Sequence, residues 1–112
     1  IANFENTIGE QYGDSSDKII QISGELSYKK NQENSIRLAK KIVENVSSAL
    51  ELRNGGVHGA NFAVLRGFNG TGVLIELAFV SNSYDAAILV DTYSQQKMAE
   101  EIAKSIKEYL TR

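Results

Sequence analysis

The chain has 112 residues, 42% hydrophobic and 23% charged, a length that suits one domain with a single core. Twelve basic residues against fourteen acidic ones give a net charge of -2, which argues against holding nucleic acid by charge alone. The absence of Cys excludes disulfides, thiolate zinc sites and a cysteine nucleophile, and no apolar run approaches the ~20 residues of a membrane-spanning helix.

Residues 1–18 are polar and rich in turn formers (Gly9, Gly13, Asp14, Ser15, Ser16, Asp17), so they read as a loop. An abrupt start of this kind suits a chain cut from something longer. Residues 18–28 place Ile20, Ile22, Leu26 and Tyr28 on one parity, the pattern of a strand bent at Gly24. From Asn31 to Leu52 the period lengthens. Ile36, Ala39, Ile42, Val43, Val46, Ala49 and Leu50 recur at three- and four-residue steps, which predicts an amphipathic helix. Asn31 or Asn34 would cap its start, and Asn54-Gly55-Gly56 would end it. Arg37, Lys40, Lys41, Glu44 and Glu51 occupy its other surface and read as a solvated face.

Asn61 to Arg66 reads as a short strand, and Gly67 to Gly72 as a flexible connection. Val73 to Val80, Val-Leu-Ile-Glu-Leu-Ala-Phe-Val, is apolar at every position but one, the pattern of a strand covered on both faces. A short helix over 83–90, capped by Asn82 with Asp85 at its positive end, would bury Ala86, Ala87, Leu89 and Val90. Ser94 would start the last helix, with Met98, Ala99, Ile102, Ala103, Ile106, Tyr109 and Leu110 in one stripe. The order β-α-β-β-α-α predicts an α/β fold: a mixed, mostly parallel sheet with flanking helices.

Glu76 breaks the apolar run. A carboxylate buried in a covered strand costs several kcal/mol unless it is paired, protonated or beside a cation. Two explanations follow: an ion pair with Arg66 or a lysine, or a ligand opposite Glu76, for which small Ala78 leaves room. Sites in open α/β sheets gather beyond the carboxyl ends of strands, and Glu76 lies in the second half of this one.

The other motifs are less specific. Gly67–Gly72 leads into a strand and lacks the Lys-Ser/Thr ending of a phosphate-cradling loop. His58, the single histidine, lies in a Gly-rich loop; a surface residue is the plainer explanation and a ligand or base the sharper one. Asn45-Val46-Ser47 and Asn69-Gly70-Thr71 match the glycosylation sequon, which is frequent by chance. No serine stands in a G-x-S-x-G context.

Three blocks together carry a resemblance. Ser35-Ile36-Arg37-Leu38-Ala39, Gly56-Val57-His58-Gly59-Ala60-Asn61-Phe62-Ala63-Val64-Leu65-Arg66, and Val73 through Asn82 are similar, in order and spacing, to the zinc-dependent N-acetylmuramoyl-L-alanine amidases. With the final amphipathic helix, the resemblance covers residues 24–110, and the block around the isolated glutamate is its most specific part. It implies a mixed-sheet α/β fold with zinc held by two histidines and a glutamate. It also implies hydrolysis of the amide between the lactyl group of muramic acid and L-alanine in peptidoglycan, at an extracellular or cell-envelope location. The glutamate of the last block, Glu76 here, is implied as the catalytic acid/base. Arg66, at the end of the preceding predicted strand, is a candidate for binding substrate or pairing with Glu76.

The departures are specific. The family's zinc ligands come from earlier segments, and none is present in this chain. Gly72 stands where the family has a proline, and Ala78 where it has a glycine. Two explanations result. Residues 1–112 are the C-terminal portion of an amidase catalytic domain, completed by the N-terminal half of that domain. Alternatively they form a single zinc-free domain, a non-catalytic module that binds peptidoglycan or another protein.

Overall fold

The computed structural model describes residues 25–111, which form helix α1 (Glu25–Leu50), a 3-10 turn (Ala63–Leu65), helix α2 (Ser83–Val90) and helix α3 (Thr92–Thr111). No strand occurs among the described residues. The expected mixed, mostly parallel sheet is therefore corrected: these residues build a helical structure. Residues 1–24, which hold the predicted loop and most of the first predicted strand, lie outside the described residues.

The corrections have local causes. Residues 25–28, read as the end of a strand, are the first turn of α1, because no Gly or Pro interrupts the chain from Glu25 to Leu50. Asn31 and Asn34 consequently lie inside the helix rather than at its cap. Asn61 to Arg66 was expected as a strand, but its backbone bonds close locally. The N–H groups of Leu65, Arg66 and Phe68 donate to the carbonyls of Phe62, Ala63 and Leu65 at 3.1, 3.1 and 3.3 Å. A ladder would need those same groups. Val73 to Phe79 has no regular secondary structure, and Ile75, Leu77, Phe79 and Val80 are 37%, 44%, 57% and 81% exposed. A continuous apolar run does not specify a strand unless neighbouring strands cover both its faces.

The described residues divide into two compact units, 25–36 with 58–74 and 37–57 with 75–111. In the first, α1 holds the glycine loop by two side chains one turn apart. Asn31 Nδ2 donates to Asn69 Oδ1 at 2.8 Å, and the Gly72 N–H donates to Ser35 Oγ at 2.9 Å. Gly67 takes the left-handed conformation (φ 80°), which costs glycine little.

In the second unit Ile42 and Val46 of α1 and Met98 and Ser105 of α3 are buried. Ser105 is fully buried, and its small side chain accepts from Asn45 Nδ2 at 2.9 Å and donates to the Glu101 carbonyl at 2.7 Å. The Arg37 guanidinium stacks 5.2 Å from the Tyr109 ring centre, so this residue is half-buried rather than part of a solvated face. The buried stripe of α3 differs from the one expected, since Ile106 and Leu110 are 41% and 71% exposed. Likewise α2 buries none of its side chains fully, and Val90 is exposed.

Helix ends close on local hydrogen bonds. Leu52 N–H donates to the Ser47 carbonyl at 3.0 Å while Glu51 adopts φ 55°, the Schellman closure of α1. Asn82 caps α2 as expected, accepting the Asp85 N–H at 3.0 Å. Asp91 ends α2 and starts α3. Its carboxylate accepts both the Ser94 hydroxyl (2.8 Å) and the Ser94 N–H (2.9 Å). Those two bonds, the hydroxyl's first, hold the Asp91 carboxyl below its ordinary range. Gln95 Nε2 donates to the Leu89 carbonyl at 2.8 Å, satisfying one of the orphan acceptors at the end of α2.

Candidate active site

Glu76 lies in the irregular segment before α2, and its side chain is exposed. The enclosure expected from the apolar run is absent, so a solvated carboxylate there carries no burial cost that a cation must offset. The expected pairing with a lysine is not found within its unit, where Lys97 pairs instead with Glu101 at 3.5 Å.

The chain on the C-terminal side of Glu76 is held at two points. Leu77 lines an open apolar cleft of about 370 Å³ with Leu89, Gln95, Met98, Ala99 and Ile102, so it faces α2 and α3. Two residues farther on, both backbone groups of Phe79 are bound. Its N–H donates to Asp85 Oδ2 at 3.1 Å, and its carbonyl accepts the Asn82 N–H at 3.1 Å. Asp85 was expected only as a charge at the positive end of α2. The Asn82-x-x-Asp85 spacing signals the cap but gives no hint of the bond to Phe79.

Arg66 and His58 belong to the first unit, and Glu76 to the second. Arg66 follows the 3-10 turn, its N–H bound to the Ala63 carbonyl, and its exposed side chain donates from Nε to Asn61 Oδ1 at 3.3 Å. His58 is exposed in an irregular loop. Gly67–Gly72 acts as a connection clasped by α1. The Asn45 sequon lies inside α1, with its amide donating to Ser105 and, at 3.3 Å, to Glu108.

No group of three His, Cys, Asp or Glu side chains suited to a metal ion occurs among the described residues. With one histidine in the whole chain, the two-histidine, one-glutamate set implied by the resemblance does not fit the residues present. No helix among the described residues is long and apolar enough to cross a membrane.

Comparison with known proteins follows the same residues. The chain is 40% identical over 77 residues to the uncharacterized protein YqiI of Bacillus subtilis (strain 168), covering 69% of this chain and 37% of that protein. It is 32% identical over 74 residues to the N-acetylmuramoyl-L-alanine amidase AmiC of Neisseria meningitidis serogroup B, covering 66% of this chain and 18% of that protein. The matched segment thus spans well under half the length of either relative. No solved structure matches the chain. The family model described as N-acetylmuramoyl-L-alanine amidase matches residues 11–108, nearly the whole chain including Glu76, Asn82 and Asp85. The chain belongs to the N-acetylmuramoyl-L-alanine amidase family.

Proposed function

We propose that this chain is the acid/base-bearing part of a peptidoglycan amidase that cleaves the bond between the lactyl group of muramic acid and L-alanine. The family match across residues 11–108 carries the reading. Glu76 supplies the acid/base. Its carboxylate takes a proton from the water that attacks the amide carbonyl, and returns it to the nitrogen as the carbon–nitrogen bond breaks. The products are a free carboxyl on the lactyl group and a free amino group on L-alanine. The exposure of Glu76 supports this role, because water and substrate reach it without rearrangement.

Zinc is the cofactor of the complete protein in this reading, and its ligands lie outside this chain, in the N-terminal half of the same domain. Arg66 binds substrate, its guanidinium offering paired donors to a carboxylate or amide of the stem peptide. The protein acts as an autolysin, outside the cell or in its envelope.

Incubating the whole protein that carries this chain with purified muropeptides tests the proposal. It predicts new L-alanine amino termini and intact sugar–lactyl products. Cleavage elsewhere in the muropeptide contradicts it. A second reading, a non-catalytic module that binds peptidoglycan, is favoured by the missing ligand set. It predicts co-sedimentation with insoluble peptidoglycan, no amide cleavage, and no stoichiometric zinc in the whole protein.

A further inference from the structure

We infer that Asp85 is a positioning residue for Glu76, locking the segment that carries the acid/base onto the first turn of α2. The inference rests on the acid/base role proposed for Glu76. The Phe79 N–H, three residues past Glu76, donates to Asp85 Oδ2 at 3.1 Å. The Phe79 carbonyl accepts the Asn82 N–H at 3.1 Å, and Asn82 Oδ1 accepts the Asp85 N–H at 3.0 Å. Of these bonds only the first ties the irregular segment to the helix through a side chain, that of Asp85; the Asn82 side chain caps α2 itself and does not touch the segment. Helix α2 is itself secured, because its Leu89 carbonyl takes Gln95 Nε2 of α3 at 2.8 Å and its Leu89 side chain shares the cleft with Leu77. The chain around Glu76 has no ladder of its own, so its placement depends on this tie and on Leu77.

A carboxylate acts as acid/base only within hydrogen-bond reach of the reacting water and nitrogen, and loss of that placement lowers turnover rather than ground-state binding. Asp85 touches neither group, so it acts through Glu76. Asp85→Ala removes the acceptor, whereas Asp85→Asn keeps one oxygen to accept the Phe79 N–H. Asn82→Ala removes the cap of α2 and leaves the Asp85 carboxylate in place, which controls for helix destabilisation.

The test has two parts. In the whole protein, hydrogen exchange at the Phe79 amide accelerates by at least about 10-fold in Asp85→Ala and stays near wild type in Asp85→Asn. In the whole protein, Asp85→Ala lowers kcat on muropeptides by about 10- to 100-fold and leaves KM within about 2-fold. Asp85→Asn restores kcat to within about 3-fold of wild type, and Asn82→Ala keeps it there despite a lower Tm. An unchanged kcat in Asp85→Ala overturns the inference, as does an equal loss in Asn82→Ala, which would assign the effect to helix stability. Wild-type turnover in Glu76→Gln would instead sink the acid/base role, while the exchange measurement would still report the tie at Phe79.

Discussion

Glu51 occupies the left-handed region at φ 55°, a conformation that crowds the Cβ of any L-residue. It is held there because the Leu52 N–H reaches back to the Ser47 carbonyl and closes α1. Glycine closes helices this way without the steric cost. Glu51→Gly therefore raises stability by about 0.5–1 kcal/mol, read as a shift of the urea midpoint; a loss of stability would show that the side chain contributes more than its strain costs. Gly72 poses the opposite case. Its N–H donates to Ser35 Oγ, so a proline there would remove a donor this chain uses. Gly72→Pro lowers stability by about 1 kcal/mol, and the same change in a Ser35→Ala background costs measurably less, because the bond is already gone. At Glu76 the residue type stood out in the sequence, but its setting did not. The apolar neighbours suggested enclosure, and the structure leaves the carboxylate in solvent.

Elements divide by whether their signals are local. The helices over 83–90 and from residue 94 were legible because caps and period act within one turn of chain, and the boundaries fall within a few residues of those expected. The cap of α2 by Asn82 was read correctly for the same reason. Strands failed because a strand is defined by its neighbours. Val73–Val80 has the composition of a covered strand, yet Phe79 gives its N–H to Asp85 and its carbonyl to Asn82. The face of α3 was misjudged because apolar residues were counted and a serine was not. Ser105 sits fully buried against α1, where only a small side chain fits and where Asn45 supplies its partner. Ser105→Leu overpacks that contact and lowers stability by about 1–3 kcal/mol, whereas Ser105→Ala loses the bonds but keeps the fit and costs less. At the start of α3, the two bonds from Ser94 hold the Asp91 carboxyl low. That contribution is complete above the ordinary aspartate value of about 3.9 and is lost as pH falls through the lower folded value. Asp91→Asn accordingly reduces the acid-induced loss of stability below about pH 4, which denaturation midpoints across that range would register.

For the molecule as a whole, the side chains that remain exposed matter as much as those that are buried. Ile42, Val46 and Met98 in one unit and Ala63 in the other are the buried hydrophobic residues among those described, while Phe68, Val80, Val90, Tyr93 and Leu110 are each more than half exposed. A core this small sustains little stability by itself, and large apolar side chains left exposed are the kind that packing against further protein would stabilise. Thermal unfolding of the 112-residue chain alone should be broad, and the whole protein should raise its midpoint by at least about 10 °C. A sharp transition at the same midpoint in both would show that nothing else packs on these faces. Family membership was legible because three short blocks keep their order and spacing, and the comparison extends across residues 11–108. The ligand set was not, since one histidine cannot supply two.

The acid/base role of Glu76 is tested most directly by comparing wild type and Glu76→Gln in the whole protein, with matched circular dichroism, for the rate at which L-alanine amino termini appear. A fall of about 100-fold or more with muropeptide binding retained is the expected result. An amidase that turns over at the wild-type rate with glutamine at that position would contradict it.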